Sequence, residues 1–201
     1  MTAYMRNLFP YFGINRPERE LINKEIFPQI KAVASEAFLK EIASLCWQKS
    51  EREYHYFALD LLSKHIKLLN AQSLSWLLEL AVRHAWWDSI DFLAIKVIGK
   101  LVLNFPELAE RMEELSVHEN KWLRRIAIIH QIPFKKNTDE KKLFQYCLYN
   151  ASDTDFFIRK AIGWALREYG KTNPTAVVAF VEKYNDLFSN LTKKEALRRI
   201  I

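Results

Sequence analysis

Glycine is scarce in this 201-residue chain: Gly13, Gly99, Gly163 and Gly170 are the only four, and no two stand close together. That excludes a glycine-rich phosphate loop or a dinucleotide fingerprint, which need several glycines within a few residues so that backbone can approach a phosphate. It also argues against a hairpin-rich β fold. Cysteine is scarcer still: Cys46 and Cys147 both fall in helix-like stretches. They read as reduced core residues, not as a disulfide framework. No apolar run is long enough to span a bilayer. The opening "MTAYMRNLFPYFGI" has no apolar stretch followed by a small-residue cleavage site. A cytoplasmic protein is therefore expected. His55, His65, His84, His118 and His130 are scattered, and neither H-E-x-x-H nor C-x-x-C occurs. No metal and no cofactor is expected. A nucleophile-elbow motif is missing as well.

Charge and hydrophobic surface are both plentiful. Half of the residues are hydrophobic, enough for a sizeable core, and 30 Lys and Arg face 24 Asp and Glu for a formal net charge of +6. A basic chain of this size suits a polyanionic partner, though net charge alone does not say which one.

The apolar residues recur at three and four nearly everywhere, as in "REYHYFALDLLSKHIKLL", "DFLAIKVIGKLVLNF", "WLRRIAIIHQI" and "FFIRKAIGWALREYG". Breaks fall near Pro106, near Pro133 and at Gly170 to Pro174. "NTDEKK" and "TNPTAVV" have the composition of helix starts. Four helices carry a small residue in an apolar setting, Ala58, Ala94, Ala127 and Ala161, at separations of 36, 33 and 34 residues. A period in this range predicts an all-α chain of HEAT-like helix pairs stacked as a curved solenoid over residues 1–201, one domain, with its concave surface for binding. A plain helical bundle with fortuitous spacing is the alternative. A monomer is expected.

"AWWDSID", residues 85–91, combines acid with aromatic surface. Trp87 and Asp91 stand at i and i+4, on one helix face. An indole beside a carboxylate suits a cation. The plainer reading makes Asp91 a solvated acid and the tryptophans core, with Trp86, Trp47, Trp76 and Trp122 the better core candidates. In "FFIRKAIGWALREYGK", the basic residues Arg159, Lys160, Arg167 and Lys171 surround Trp164. That pattern fits a face tracking a nucleic-acid backbone, or an ordinary amphipathic helix with a charged outer side. The C-terminal "KKEALRR" reads as a solvated last helix.

The segments "YMRNLFPYFGINRPERE", "EREYHYFALDLL", "WWDSIDFLA", "WLRRIAIIHQ" and "FFIRKAIGWALREYGKTNP" resemble, in order, the AlkD family of alkylpurine DNA glycosylases. The resemblance runs from Tyr4 to the final "LTKKEALRRII"; W-W-D-x-x-D and F-F-I-x-K-A-I-G-W-x-L-R-E-Y are its specific motifs. It implies a HEAT-like fold. It also implies hydrolysis of the N-glycosidic bond of cationic N3- and N7-alkylated purines, 3-methyladenine and 7-methylguanine, in duplex DNA without flipping the base. By the resemblance, Asp91 is the catalytic carboxylate and Trp87 and Trp164 are the paired tryptophans. Arg125 is the arginine of W-L-x-R, and Tyr4 and Arg167 match positions near the lesion and the backbone. Repeat register, counted back from Ala127, favours Arg124 over Arg125 as the phosphate contact; the motif favours Arg125. Two departures stand out. Family members generally carry another helix before the Tyr4 segment, and Pro133 stands where a basic residue is common. The rival function is a non-catalytic HEAT-like module that binds DNA structure or a protein.

Overall fold

The computed structural model describes residues 2–198. Among them there are helices and no strands, in two compact units, Met1–His84 and Ala85–Ile201. None of these helices is long and apolar enough to cross a membrane.

The first unit contains α1 (Arg16–Lys31), α2 (Glu36–Trp47), α3 (Arg52–Lys64) and α4 (Ser73–Val82). Asn15 and Glu18 start α1 with a reciprocal capping box, and Ser35 caps α2 by accepting from the Phe38 amide. The interior is aliphatic and aromatic: Leu39, Ala43, Trp47, Ala58, Leu59, Leu62, Leu74, Trp76 and Leu77 are buried. Polar pairs then fix which helix meets which. Asp60 of α3 accepts from Arg19 and Asn23 of α1 at 2.9 and 3.0 Å. Glu36 of α2 accepts from Ser73 and the Trp76 indole of α4 at 3.0 and 2.7 Å. The segment before α1 is held by α3, where the Glu53 carboxylate accepts from the amides of Gly13 and Ile14. Gly13 has φ +92°, a conformation that only glycine adopts without strain.

The second unit begins with α5 (Trp87–Phe92), which runs without a break through a π-helical segment (Leu93–Ile98) into α6 (Gly99–Asn104). It continues through α7 (Ala109–Ser116), α8 (Lys121–Ile129), a 3-10 segment (Ile132–Asn137), α9 (Glu140–Tyr149), α10 (Phe156–Gly170), α11 (Pro174–Lys183) and α12 (Asn190–Ala196). Asn120, Asp139, Asp155, Asn173 and Ser189 cap α8 to α12 through their side chains. In "NTDEKK" it is Asp139 that caps, one place after the threonine; "TNPTAVV" caps on Asn173 with Pro174 in the first turn. α10 is central and packs against α8, α11 and α12. The chain is thus built of paired helices, as the period predicts. Its marker residues Ala58, Ala94, Ala127 and Ala161 are all fully buried.

Two corrections follow. The period gives no hint of the π-helical segment. The C-terminal helix is not a solvated one: Thr192, Glu195 and Ala196 of α12 are buried against α10. They fit there because Gly163 has no side chain; a Cβ at that position would stand 2.5 Å from the Glu195 Cβ. Arg199 lies outside the described residues.

His130 gives the fold a pH dependence. It is buried, and its Nδ1 donates to the Ala127 carbonyl at 2.7 Å. Burial lowers its pKa from 6.5 to about 4; the Lys142 charge adds to the fall and the Ala127 carbonyl opposes it. The unfolded chain therefore takes up this proton at a higher pH than the folded one. The stability contributed by neutral His130 is whole above pH ~6.5 and is lost as pH falls toward ~4, about 3 kcal/mol in all. Urea unfolding of wild type and His130→Phe across this window is expected to show a shallower pH slope for the variant. Equal slopes would remove His130 as the cause.

Candidate functional site

Asp91 ends a short run of structure that the sequence dictates closely. Trp86 has extended backbone and leads into α5. Ile90 is fully buried and anchors α5 to the interior, while Trp87 and Asp91, one turn apart, are half-buried. Across from Asp91 stands Arg125 of α8. Its Nε donates to Asp91 Oδ1 and its Nη2 to Oδ2, both at 2.7 Å, and its Nη1 donates to the Phe157 carbonyl of α10. A planar guanidinium thus closes a fork on a carboxylate, the arrangement in which arginine holds an acid most rigidly. The arginine side chain is 6% exposed and the aspartate 16%, so solvent reaches the acid more than its partner. Burial pushes the Asp91 carboxyl above its usual range. The hydrogen bonds and charge of Arg125 pull the other way, and the Asp88 charge adds to the rise. Each carboxylate oxygen keeps a second lone pair for a further donor or cation.

An aromatic cluster and a set of basic side chains surround this pair. The Trp86 ring meets Trp122 and Phe157 at centroid distances of 5.7 and 5.0 Å, and Trp122 meets Phe157 at 5.1 Å. The Lys121 ammonium lies over Trp122 and Phe157 at 5.3 and 5.6 Å and pairs with Asp155 at 2.8 Å. Arg124 pairs with Asp153 at 2.7 Å and donates to the carbonyls of His118 and Glu119. On α10, Arg159 donates to the Asp153 carbonyl at 2.7 Å, and Lys160 and Arg167 both pair with Glu195. Lys160 stands one turn before the half-buried Trp164. Burial lowers the Lys160 pKa, and the charges of Arg167, Arg198 and Arg125 add to the fall, which places this lysine in the field of the arginine that holds Asp91. Among the described residues no group of His, Cys, Asp or Glu could hold a metal ion.

Residues 1–200 of the sequence match the family described as DNA alkylation repair enzyme. The chain belongs to that family. Among solved structures it is similar to one described as a predicted DNA alkylation repair enzyme from Enterococcus faecalis. The two share 31% identity over 98% of this chain and 92% of that one, with a TM-score of 0.91. No curated protein matches the sequence.

In this member of the family the structure brings together Asp91, Arg125 and, through α10, Lys160. Trp87 stands on the helix of Asp91, and Trp164 lies one turn beyond Lys160. Arg125, which the motif assigns to a phosphate, is closed on Asp91; Arg124, which the register assigns to it, is closed on Asp153. Tyr4 belongs to the first unit and is exposed. Trp47, Trp76 and Trp122 are core residues, while Trp86 is half-buried within the aromatic cluster. Sequence reasoning missed the acids that hold the arginines and lysines. Its available signal was separation. Lys121 to Asp155 and Asp91 to Arg125 are each 34 residues, and Lys160 to Glu195 is 35. These spacings match the repeat period.

Proposed function

We propose that this repair enzyme is a monofunctional DNA glycosylase that hydrolyses the N-glycosidic bond of cationic N3- and N7-alkylated purines in duplex DNA, without flipping the base. The observation that carries the reading is the Asp91 carboxylate, fixed through both oxygens by Arg125 and standing one turn from Trp87. Alkylation places a positive charge on the purine. When the C1′–N bond breaks, its electron pair stays with the base and cancels that charge, so no general acid is needed. The sugar left behind has oxocarbenium character, and a fixed carboxylate stabilises it electrostatically. A water molecule then adds to C1′ and gives up a proton, which Asp91 is placed to accept. Trp87 and Trp164 offer indole faces to the cationic nucleotide, each contact contributing about 0.5–2 kcal/mol. Arg125 acts as a positioning residue by holding the carboxylate ionised against its burial. Arg124, Arg159, Lys160 and Arg167 complete the surface of the second unit assigned to DNA, and Tyr4 of the first unit is assigned a DNA contact of its own. The reaction calls for no metal or cofactor, and one copy of the chain carries all these groups.

The test is release of free 7-methylguanine and 3-methyladenine from methylated duplex DNA, read by chromatography. Free base with strands intact until alkali is added supports the reading. Duplex binding with no base released would replace it with the non-catalytic binding module.

A further inference from the structure

Glu195 stands out among the acids of the second unit. Its side chain is 11% exposed and accepts from Lys160 through Oε2 and from Arg167 through Oε1. The location is fixed by backbone packing as well as by charge. α12 sits so close to α10 that a Cβ on Gly163 would lie 2.5 and 2.8 Å from Glu195 Cβ and Cγ and 3.0 Å from the Thr192 carbonyl. The Thr192 hydroxyl donates to the Arg159 carbonyl at 3.3 Å, a second tie at the same seam. The acid therefore enters the cationic group from a rigid base and is not a mobile surface side chain finding a partner.

The charges around it do not balance. Lys160 feels Arg167, Arg198 and Arg125. Arg125 is neutralised by Asp91; Glu195 answers both Lys160 and Arg167, and Glu168, which also pairs with Lys171, stands 3.7 Å from the Arg167 Nε. Lys160, Arg167 and Lys171 thus share two carboxylates, and two of them converge on Glu195; the cationic charge left over suits a doubly coordinated anion with more oxygens than a carboxylate has.

We propose that Lys160 and Arg167 form a phosphate site for the DNA backbone, and that in the DNA-unbound protein Glu195 occupies it as an internal competitor. This rests on the reading of α10 as a DNA-facing helix, but not on glycosylase chemistry. Binding of DNA exchanges the Glu195 carboxylate for a backbone phosphate, so the acid sets how tightly undamaged DNA is held. Weak holding of undamaged duplex lets a repair enzyme leave sites that carry no lesion.

The experiment measures binding of undamaged duplex DNA over a salt series for wild type, Glu195→Gln and Lys160→Gln/Glu195→Gln, with base release from methylated DNA run in parallel. Glutamine keeps the volume at the Gly163 seam and removes the charge. Glu195→Gln is expected to bind on the order of tenfold tighter at low salt, with the log–log salt slope steeper by about one to two because two cations become available. The double variant is expected to lose most of that gain. Unchanged affinity and slope in Glu195→Gln, with an unchanged melting temperature, would make Glu195 a structural clasp and overturn the proposal. Weaker binding would make it an organiser of the cations and overturn it equally. No duplex binding by wild type or variant would remove the DNA-facing reading of α10 and the proposal with it. Failure of base release alone would count only against the glycosylase reading.

Discussion

Asp91→Asn is expected to lower release of 7-methylguanine from methylated duplex DNA by at least about a hundredfold, the loss seen when one preorganised electrostatic group is removed from an active site. Binding of the same duplex is expected to stay within about threefold, since this acid contributes repulsion and not attraction toward a phosphate backbone. Asparagine keeps the shape and one oxygen but not the charge. Its amide group would also turn a donor toward the Arg125 fork, which now donates to both oxygens. A thermal melt of the variant therefore belongs beside the kinetics, with Asp91→Ser as a smaller replacement that sets no donor against the fork. Base release at the wild-type rate by either variant would remove Asp91 from the chemistry. Loss of release together with loss of fold in both would leave the acid a structural partner of Arg125.

Gly99→Ala is expected to destabilise the second unit by about 3 kcal/mol or more, the upper end of the range for overpacking. A Cβ at Gly99 would stand 2.3 Å from the His130 carbonyl oxygen and 3.0 Å from that of Ala94. Both obstacles are backbone, so no side chain can swing aside. Relief requires α6 to move away from the end of α8, where Leu101, Ile126 and Ile129 are fully buried. Thermal melting reads the effect: for a chain of this size about 3 kcal/mol is a fall of roughly 6–12 °C. A change under about 2 °C would mean that the π-helical segment flexes enough to absorb a methyl group. Serine at the same position is expected to do no better, because the clash lies at Cβ.

The helices and their core could be read from the sequence because burial imposes a period on the apolar residues, and Ala58, Ala94, Ala127 and Ala161 mark it directly. That Trp87 and Asp91 stand one turn apart on one helix was legible from their spacing. The arginine of the site was legible only in part. Counting back from the repeat alanines puts Arg124 in the slot of Asp91 and makes it the phosphate contact, whereas the motif favours Arg125, and neither points to the pairing of Arg125 with Asp91. A fork between an acid and an arginine 34 residues away depends on how two helices pack, which a count along one chain does not contain. Glu195 was not legible at all. Its burial depends on Gly163, and a glycine within a helix reads from sequence only as a weak spot. The acids that neutralise Arg124 and Lys121 sit 29 and 34 residues away, where a local window does not reach.

The π-helical segment between α5 and α6 holds about one residue more than an α-helix of the same number of turns. Deleting one codon between Leu93 and Ile98 would restore an unbroken α-helix and turn Trp87 and Asp91 by about 100° relative to Leu101 and Val102. The helix would still have apolar residues for its interior side. The acid would no longer face Arg125. In a chain of helix pairs, whether the acid of this repeat meets an arginine of the next is therefore set by a single codon, and that codon lies in the repeat that holds Asp91.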